Sequence, residues 1–437
     1  MYNLVIYAYQ LGVMVASLFN EKVRKMWRGE RAAFDVLRQQ VDPQARYVWF
    51  HAASLGEFEQ GRPIMERLHS EHPEYKILLT FFSPSGYEVR KNYEGADIIC
   101  YLPLDTTTNA RRFLRLVRPC MAFFIKYEFW YNYLHILKHR GIPTYSVSSI
   151  FRPGQVFFRW YGRQYGRVLK CFTHFFVQNE VSRELLAGIG IQNVTITGDT
   201  RFDRVLQIKE MAKVLPIVEE FIGRECEGME VRRYEISSRP KVFVAGSSWP
   251  PDEEMFLRYF NEHPDWKLII APHVIGEDHL QQIVSLCKPE EVVRYTSIQS
   301  EREGNLAPRS PLPTPREDNP SPRVLIIDCF GLLSSIYRYA DVAYVGGGFG
   351  VGIHNLPEAA VWGVPVFFGP NNARFQEAQD LKANEGGIEI TSFDDFARHM
   401  DQLTADTHRL QERGKRAAEY VADKAGATET ILRSVDL

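Results

Sequence analysis

The chain has no closely spaced pair of cysteines. Cys100, Cys120, Cys171, Cys226, Cys287 and Cys329 are scattered along 437 residues with no CxxC among them. That excludes a zinc ribbon and a disulfide framework and reads as buried thiols in a reducing cytosol. A Walker lysine pattern and a GxGxxG run are also missing, which excludes a phosphate-transferring P-loop and a Rossmann dinucleotide site. No DxD triplet occurs, so nothing points to a metal-bridged diphosphate and no metal ligand set is expected. Neither sign of charge dominates: 52 Lys and Arg against 54 Asp and Glu leave a formal charge of -2, which does not fit a general nucleic-acid binder. What remains is the composition of a folded globular protein, 45% apolar and 24% charged, and any charge signal is local. At roughly 150 residues per domain the length predicts two or three domains, enough for an enzyme.

Long apolar runs are scarce except at the start. Asn3 to Asn20, NLVIYAYQLGVMVASLFN, carries no charge and is followed by Lys22, Arg24, Lys25, Trp27, Arg28 and Arg31. At ~1.5 Å per residue this run is near the lower limit for a ~30 Å hydrocarbon core, so an N-terminal membrane-anchor helix is expected, spanning the bilayer or lying in its interface. A secretory signal places its positive charge before the apolar run; here it comes after, which by the positive-inside rule holds the rest in the cytoplasm. The alternative is a buried core helix, and the basic residues and Trp27 at the expected interface favour the anchor.

From residue 41 onward, short β-rich apolar runs alternate with helix-length amphipathic segments. The runs at 47–52, 76–82, 97–102, 121–125, 143–149 and 174–178 form one series, and those at 241–247, 267–273, 323–329, 342–348 and 364–369 form a second. This alternation predicts two α/β halves, each a parallel sheet covered by helices. The expected organisation is an anchor and basic juxtamembrane helix at 1–40, a first half at 41–215, a charged linker at 216–240 and a second half at 241–404. A Pro- and Ser-rich excursion at 300–323 interrupts the second half, and 405–437 reads as one long helix.

In an open α/β sheet, ligands bind at the carboxyl ends of strands, where the next helix offers unpaired N–H groups to an anion. In VGGGFGVGIHNLPE, Gly346, Gly347, Gly348, Gly350 and Gly352 follow a strand, and a helix is expected near His354. Glycines let a backbone approach a phosphate closely, Asn355 can cap, and Glu358 can accept hydrogen bonds from ribose hydroxyls. A nucleotide cradle is therefore weighed above a tight turn, because five glycines in seven residues exceed what a turn needs. VAGSSWPPDEE places Ser247 and Ser248, small donors suited to an anion, before a helix opened by Pro250 and Pro251. Pro272 and His273 stand at another strand end, where the imidazole can contact a phosphate or a sugar carboxylate. The turn Phe330, Gly331, Leu332 offers backbone groups to a nucleobase.

In the first half, FHAASLGEFEQG places Glu57 at a helix start, and IKYEFWYNYL places Glu128 just after a strand. Both carboxylates are expected along one rim of the sheet, facing the second half across a cleft. A glutamate there can serve as general base for a hydroxyl nucleophile. Compensation of the helix dipole is the commoner fate of first-turn glutamates, and Glu59 is assigned to that role or to solvent. The stretch from Phe151 to Phe172 is basic and aromatic and holds no acid. Arg152, Arg159, Arg163 and Arg167 in it suit an anionic or membrane-bound acceptor.

With these residues assembled, the chain resembles the 3-deoxy-D-manno-octulosonic acid (Kdo) transferases of lipopolysaccharide synthesis over nearly its full length. The resemblance is carried by the N-terminal run with its basic flank, HAASLGE, EFW at Glu128 to Trp130, GDTRFD at Gly198 to Asp203, AGSSW, the PH at Pro272, and GGGFGVGIHNLPE. It implies two Rossmann-like domains facing a cleft in the GT-B arrangement. It also implies CMP-Kdo as donor substrate with neither metal nor other cofactor, and inverting transfer to the lipid A precursor at the cytoplasmic face of the inner membrane. By the same resemblance Glu57 matches the proton acceptor and Glu128 a second acidic position. Pro272 and His273, Phe330 to Leu332, and Asn355, Leu356, Pro357 and Glu358 match CMP-binding segments; Ser247, Ser248 and Gly348 join them as donor-site candidates. Two departures stand out. The family usually has an arginine between the proline and histidine of PH, and a glutamate where this chain has Leu332. A GT-B transferase using another nucleotide sugar, and a non-catalytic nucleotide- or lipid-binding adaptor, are the alternatives. Retention of Glu57, Glu128 and Glu358 together argues against the adaptor.

Overall fold

Each half of the chain gathers its β-rich runs into one parallel sheet. In the computed structural model, which describes residues 2–223, 240–304, 322–350 and 352–437, the first sheet holds β1 (Arg46–Ala52), β2 (Tyr75–Phe81), β3 (Ile98–Tyr101), β4 (Met121–Ile125), β5 (Thr144–Ser149), β6 (His174–Val177) and β7 (Val194–Ile196). The second holds β8 (Lys241–Ser248), β9 (Trp266–Pro272), β10 (Val292–Arg294), β11 (Val324–Ile326), β12 (Val342–Val345), β13 (Val366–Phe368) and β14 (Gly387–Glu389). Their orders are β3-β2-β1-β4-β5-β6-β7 and β10-β11-β9-β8-β12-β13-β14. Strand order therefore reverses between β1 and β4 in the first sheet and between β8 and β12 in the second, the switch points at which such sheets bind ligands. The strands β7, β10 and β14 were not foreseen: they are short and, unlike the equally short but fully buried β11 and β13, partly exposed, so no apolar run marks them.

The strands read as continuous apolar runs because helices cover both faces. Every residue of β1 after Arg46 is buried. On one face Trp49 packs against Phe113, Phe124 and Tyr133; on the other Phe50 stacks on Phe123 with ring centroids 4.8 Å apart.

The chain folds into two units, Met1–Arg204 with Lys424–Leu437, and Val205–Asp423. The division falls before the expected linker, which contains a helix at Pro216–Phe221 with Ile217, Val218 and Phe221 buried. Residues 224–239, and 305–321 of the expected excursion, lie outside the described residues. The expected single C-terminal helix is broken: Thr407–Lys424 and Ala427–Arg433 are separate helices parted at Gly426, whose φ of 101° only glycine adopts readily. The last of them belongs to the first unit. Ile431, Leu432 and Val435 join its core, and Asp203 accepts hydrogen bonds from the Thr428 amide and hydroxyl at 2.7 and 2.6 Å.

The N-terminus corrects the spanning anchor. Helix α1 (Tyr2–Ala16) has 15 residues, and no described helix is long and apolar enough to cross a membrane. At ~1.5 Å per residue it reaches ~22 Å, short of a ~30 Å core. It stops because Arg24 donates from its guanidinium to the Ser17 and Leu18 carbonyls, at 2.9 and 2.8 Å, while Asn20 caps helix α2 (Glu21–Gln40) by accepting from Val23 N–H. Rather than standing apart as a juxtamembrane helix, α2 buries Ala33, Phe34 and Leu37 in the first unit's core. Helix α1 lies against that unit: Val13 packs with Met26 and Tyr101, the Tyr2 hydroxyl donates to Asp105 at 2.7 Å, and Asn132 donates to Asn3 at 2.8 Å. Leu4, Val5, Leu11, Leu18 and Phe19 are left in solvent, Phe19 at 85% exposure.

Candidate active site

In the first unit the site is built at the ends of β1 and β4, on either side of the switch point. β1 ends at Ala52, Ser54 takes the N-cap position, and helix α3 (Leu55–Glu71) carries Glu57 in its first turn, half-buried. The Ser54 hydroxyl donates to Glu57 Oε2, which leaves Oε1 without that donor. Gly56 sits outward with no neighbour close to its missing Cβ. Glu59, two residues on, is not solvent-facing: Arg90 donates to it at 2.7 Å and Arg204 at 3.2 Å, with Arg62 at 3.8 Å. The two glutamates of the turn thus differ, one held by a hydroxyl alone and the other locked among guanidinium groups.

Glu128 lies just past β4 with 15% of its side chain exposed. Its Oε2 accepts from the Trp130 indole N–H at 2.7 Å and lies 3.1 Å from Nε2 of His51, which is fully buried in β1. His51 Nδ1 is 2.9 Å from the Thr80 hydroxyl on β2, so a chain of polar contacts runs from β2 through β1 to the carboxylate. His51 is not among the residues assigned from the sequence; its signal there is a lone polar ring within an otherwise apolar strand. Tyr127, between the two candidate carboxylates in sequence, feels Arg152, Asp199 and Glu57; burial pushes its hydroxyl up first of all. Arg152 and Glu57 therefore border one locale.

The GDTRFD motif knits the unit together. Asp199 is buried and accepts from Gln60 on α3 at 2.9 Å and from Gln178, after β6, at 3.0 Å, while Asp203 anchors the returning C-terminal helix. Of the basic stretch, Arg159 and Arg167 line a recess of about 550 Å³ with Phe157, Phe158, Trp160 and Lys170. Trp160 and Tyr161 are exposed on its surface, and Tyr165 stacks on Phe157 at 5.3 Å. Tyr165 also feels Asp105 and Glu128, and its neighbour in that field is Tyr2 of α1, so the aromatic-basic segment adjoins both α1 and Glu128. The Arg163 side chain lies outside the described residues.

In the second unit the candidate donor residues converge on the ends of β8, β9, β11 and β12. Ser247 adopts φ 52°, turning the chain into the helix Pro250–Glu262 behind Trp249 at the N-cap. Asp252, fully buried in its first turn, accepts from Trp249 N–H at 2.9 Å, Gly347 N–H at 3.1 Å and the Tyr344 hydroxyl at 2.5 Å, tying the glycine loop to β8. His273, after β9, stacks between Trp249 at 4.8 Å and His354 at 4.4 Å. Burial lowers both imidazoles, His354 to about 4 with His273 adding to the effect, so His354 is neutral at physiological pH. This stack brings together His273, assigned from the sequence, with Trp249 and His354, which were not.

The glycine loop departs from expectation. A Cβ on Gly346 would lie 2.2 Å from the Ser247 carbonyl oxygen, one on Gly347 2.5 Å from the Gly352 carbonyl, and one on Gly348 2.5 Å from Gly369 N. The chain's own backbone fills these places, so three of the five glycines answer to packing; only Gly350 opens onto free space. The helix begins later than His354, at Leu356, and Asn355 occupies its N-cap position without capping: it donates to Glu358 Oε1 at 2.7 Å, and its own Oδ1 is buried with no hydrogen-bond partner among the described residues. Pro357 enters the first turn of that short helix. After β11, Phe330 projects at 84% exposure, Gly331 turns at φ 89°, and Leu332 precedes the helix Leu333–Ile336.

A family model described as 3-deoxy-D-manno-octulosonic-acid transferase matches residues 27–204. The chain is 26% identical over 364 residues to a 3-deoxy-D-manno-octulosonic acid transferase of Aquifex aeolicus, covering 82% of this chain and 85% of that one. It is 25% identical to one of Chlamydia muridarum, over 95% and 92% of the two chains. Among solved structures, UDP-GlcNAc 2-epimerase from Neisseria meningitidis bound to UDP-GlcNAc aligns with a TM-score of 0.56 at 14% identity, over 86% of this chain and 99% of that one. MurG of Acinetobacter baumannii aligns at 0.50 and 12%, over 89% and 98%. These structural likenesses speak to the fold alone.

Proposed function

The chain belongs to the 3-deoxy-D-manno-octulosonic acid (Kdo) transferases, and from that premise we propose that it moves Kdo from CMP-Kdo to the lipid A precursor with inversion, Glu57 acting as general base without a metal. The observation that carries the reading is the placement of Glu57: a half-buried carboxylate at the switch point of the first sheet, held on one oxygen by Ser54 and free of the guanidinium cluster that locks Glu59. The acceptor's hydroxyl gives its proton to Glu57 as its oxygen bonds to the anomeric carbon, and the bond from that carbon to the CMP phosphate breaks with CMP taking the electron pair. A nucleoside monophosphate is a good leaving group, and the N-terminus of helix Pro250–Glu262, with Ser247 and Ser248 beside it, supports its charge. Pro272, His273, the turn Phe330 to Leu332, and Asn355 to Glu358 with Gly348 hold CMP. Neutral imidazoles at His273 and His354 contribute hydrogen bonds and stacking surface rather than charge. Glu128, steadied by His51 and Trp130, contacts the donor sugar or the acceptor.

The acceptor is a lipid. The exposed apolar side chains of α1 and the adjoining Trp160, Tyr161, Arg159 and Arg167 seat the first unit in the interface at the cytoplasmic side of the inner membrane, no described helix being long and apolar enough to cross it. Glu57→Gln keeps the shape of the side chain and removes the base. Mass spectrometry of products from CMP-Kdo and a lipid A precursor should show transfer reduced about 10²- to 10⁴-fold with CMP affinity unchanged; a variant of nearly full activity sinks the assignment. A second reading, another nucleotide sugar as donor, is favoured by the two departures at the donor segments, Pro272 directly before His273 and Leu332 in place of a glutamate, and a donor panel separates the two. An adaptor would give no product with any donor and would tolerate change at Glu57.

A further inference from the structure

We propose that Glu253 and His279 are positioning residues of the donor site: a carboxyl–imidazole pair, holding one proton between them, that pins the loop carrying His273. Ser248 and Glu253 are fully buried, and His279 keeps 12% of its side chain exposed. The Ser248 hydroxyl donates to Glu253 Oε1 at 2.7 Å, His279 Nε2 lies 2.7 Å from Glu253 Oε2, and His279 Nδ1 lies 2.9 Å from the Val274 carbonyl.

Counting donors fixes the chemistry. A carbonyl only accepts, so Nδ1 carries a proton toward Val274. Glu253 Oε1 already receives the Ser248 proton, and the contact between Nε2 and Oε2 needs one more, as imidazolium with carboxylate or imidazole with carboxylic acid. Without it two lone pairs would face each other at 2.7 Å beside a buried carboxyl.

The consequence lies in the loop from Pro272 to Gly276. Its start is fixed where His273 N–H donates to the Ser248 carbonyl at 2.9 Å, on the same serine whose hydroxyl Glu253 holds. Its next residue, Val274, is fixed by His279. His273 thus stands between two residues tied to one buried carboxyl, which orients its ring on Trp249 and His354.

The inference rests on the reading of His273 as a donor-site residue, and binding of CMP to the full chain by calorimetry tests it. Glu253→Ala and His279→Ala should each weaken CMP about tenfold or more and raise KM for CMP-Kdo more than they lower kcat. Glu253→Gln should bind within about threefold of the parent, because an amide accepts from Ser248 through its oxygen and supplies its own N–H to His279 Nε2. His279 keeps part of its side chain in solvent while Glu253 is fully buried, so the His279 alanine variant retains the fold if Glu253→Ala does not. Parental CMP affinity in His279→Ala, or a glutamine variant as weak as Glu253→Ala, overturns the proposal. A parent chain that binds no CMP overturns instead the donor-site reading beneath it.

Discussion

Glu30 gives a stability prediction whose size follows from its surroundings. It sits on α2 beneath α1, buried to 5% exposure, with Oε1 lacking any hydrogen-bond partner among the described residues. Burial alone pushes its carboxyl from 4.5 to about 8. The groups that feel its charge are Tyr9 on α1, Tyr101 on β3 and Tyr133, all raised and none a cation. The sign runs against the usual carboxylate. Below pH 4.5 both folded and unfolded chains keep the proton and the site costs nothing through ionisation. Between 4.5 and 8 the unfolded chain releases the proton while the fold retains it, so stability falls as pH rises, and above 8 the loss is complete. At ~1.4 kcal/mol per pH unit the full penalty is ~5 kcal/mol, of which ~2 kcal/mol accrues between pH 6 and 8. Glu30→Gln removes the titration while keeping the shape. Urea unfolding of both proteins, followed by tryptophan fluorescence from pH 5 to 9, should show the glutamine variant gaining on the parent by that amount over those two units. Parallel stability curves across the range refute the reasoning.

Two further perturbations separate packing from surface. Gly346→Ala sets a Cβ against the Ser247 carbonyl oxygen and should cost ~3 kcal/mol or more, read as a lowered unfolding midpoint, whereas Gly350→Ala, with nothing within 4 Å of its Cβ, should leave the midpoint unchanged. Equal stability of the two variants would show the loop to be differently packed. Replacing Leu4, Leu11, Leu18 and Phe19 together by serine should cut sedimentation with anionic vesicles at least tenfold while the unfolding midpoint stays put, since these side chains are exposed; undiminished vesicle binding rules out α1 as the interfacial element.

The two α/β halves were legible because parallel strands buried on both faces write their positions as unbroken apolar runs, and β1, β4, β8 and β12 fall where those runs stand. The break at Gly426 and the return of Ala427–Arg433 to the first unit were not legible: Asp203, more than two hundred residues away, decides them. The N-terminal run was read correctly as apolar, and of the two placements expected for it, spanning or interfacial, the structure removes the spanning one. Uncharged sequence counts Leu18, Phe19 and Asn20 into the run, but the structure ends α1 at Ala16, and Arg24 reaches back to the Ser17 and Leu18 carbonyls just beyond it. At the glycine loop, composition registered that five glycines were needed without telling which surface needed them. The contacts of Gly346, Gly347 and Gly348 with backbone answer that for three. His51 and His279 illustrate a further limit, since each gains its role from a partner on another element.

The acids of the two units are treated oppositely, and this bears on the proposed assignment of a base to the first unit and a phosphate to the second. In the second unit the acids nearest the strand ends are consumed internally. Asp252 spends its oxygens on Tyr344, Trp249 and Gly347, Glu253 on Ser248 and His279, and burial raises both carboxyls. Beside them the rim presents small donors, imidazoles lowered by burial, and Glu358 with one oxygen taken by Asn355. In the first unit Glu57 keeps one oxygen free of its serine, and Glu128 is held by an indole and an imidazole rather than by a guanidinium. A base needs an unclaimed lone pair, and a phosphate site needs its carboxylates already claimed. On the proposed reading, the switch point of the first sheet keeps a lone pair for a base, and the acids beside that of the second are already claimed where a phosphate would bind.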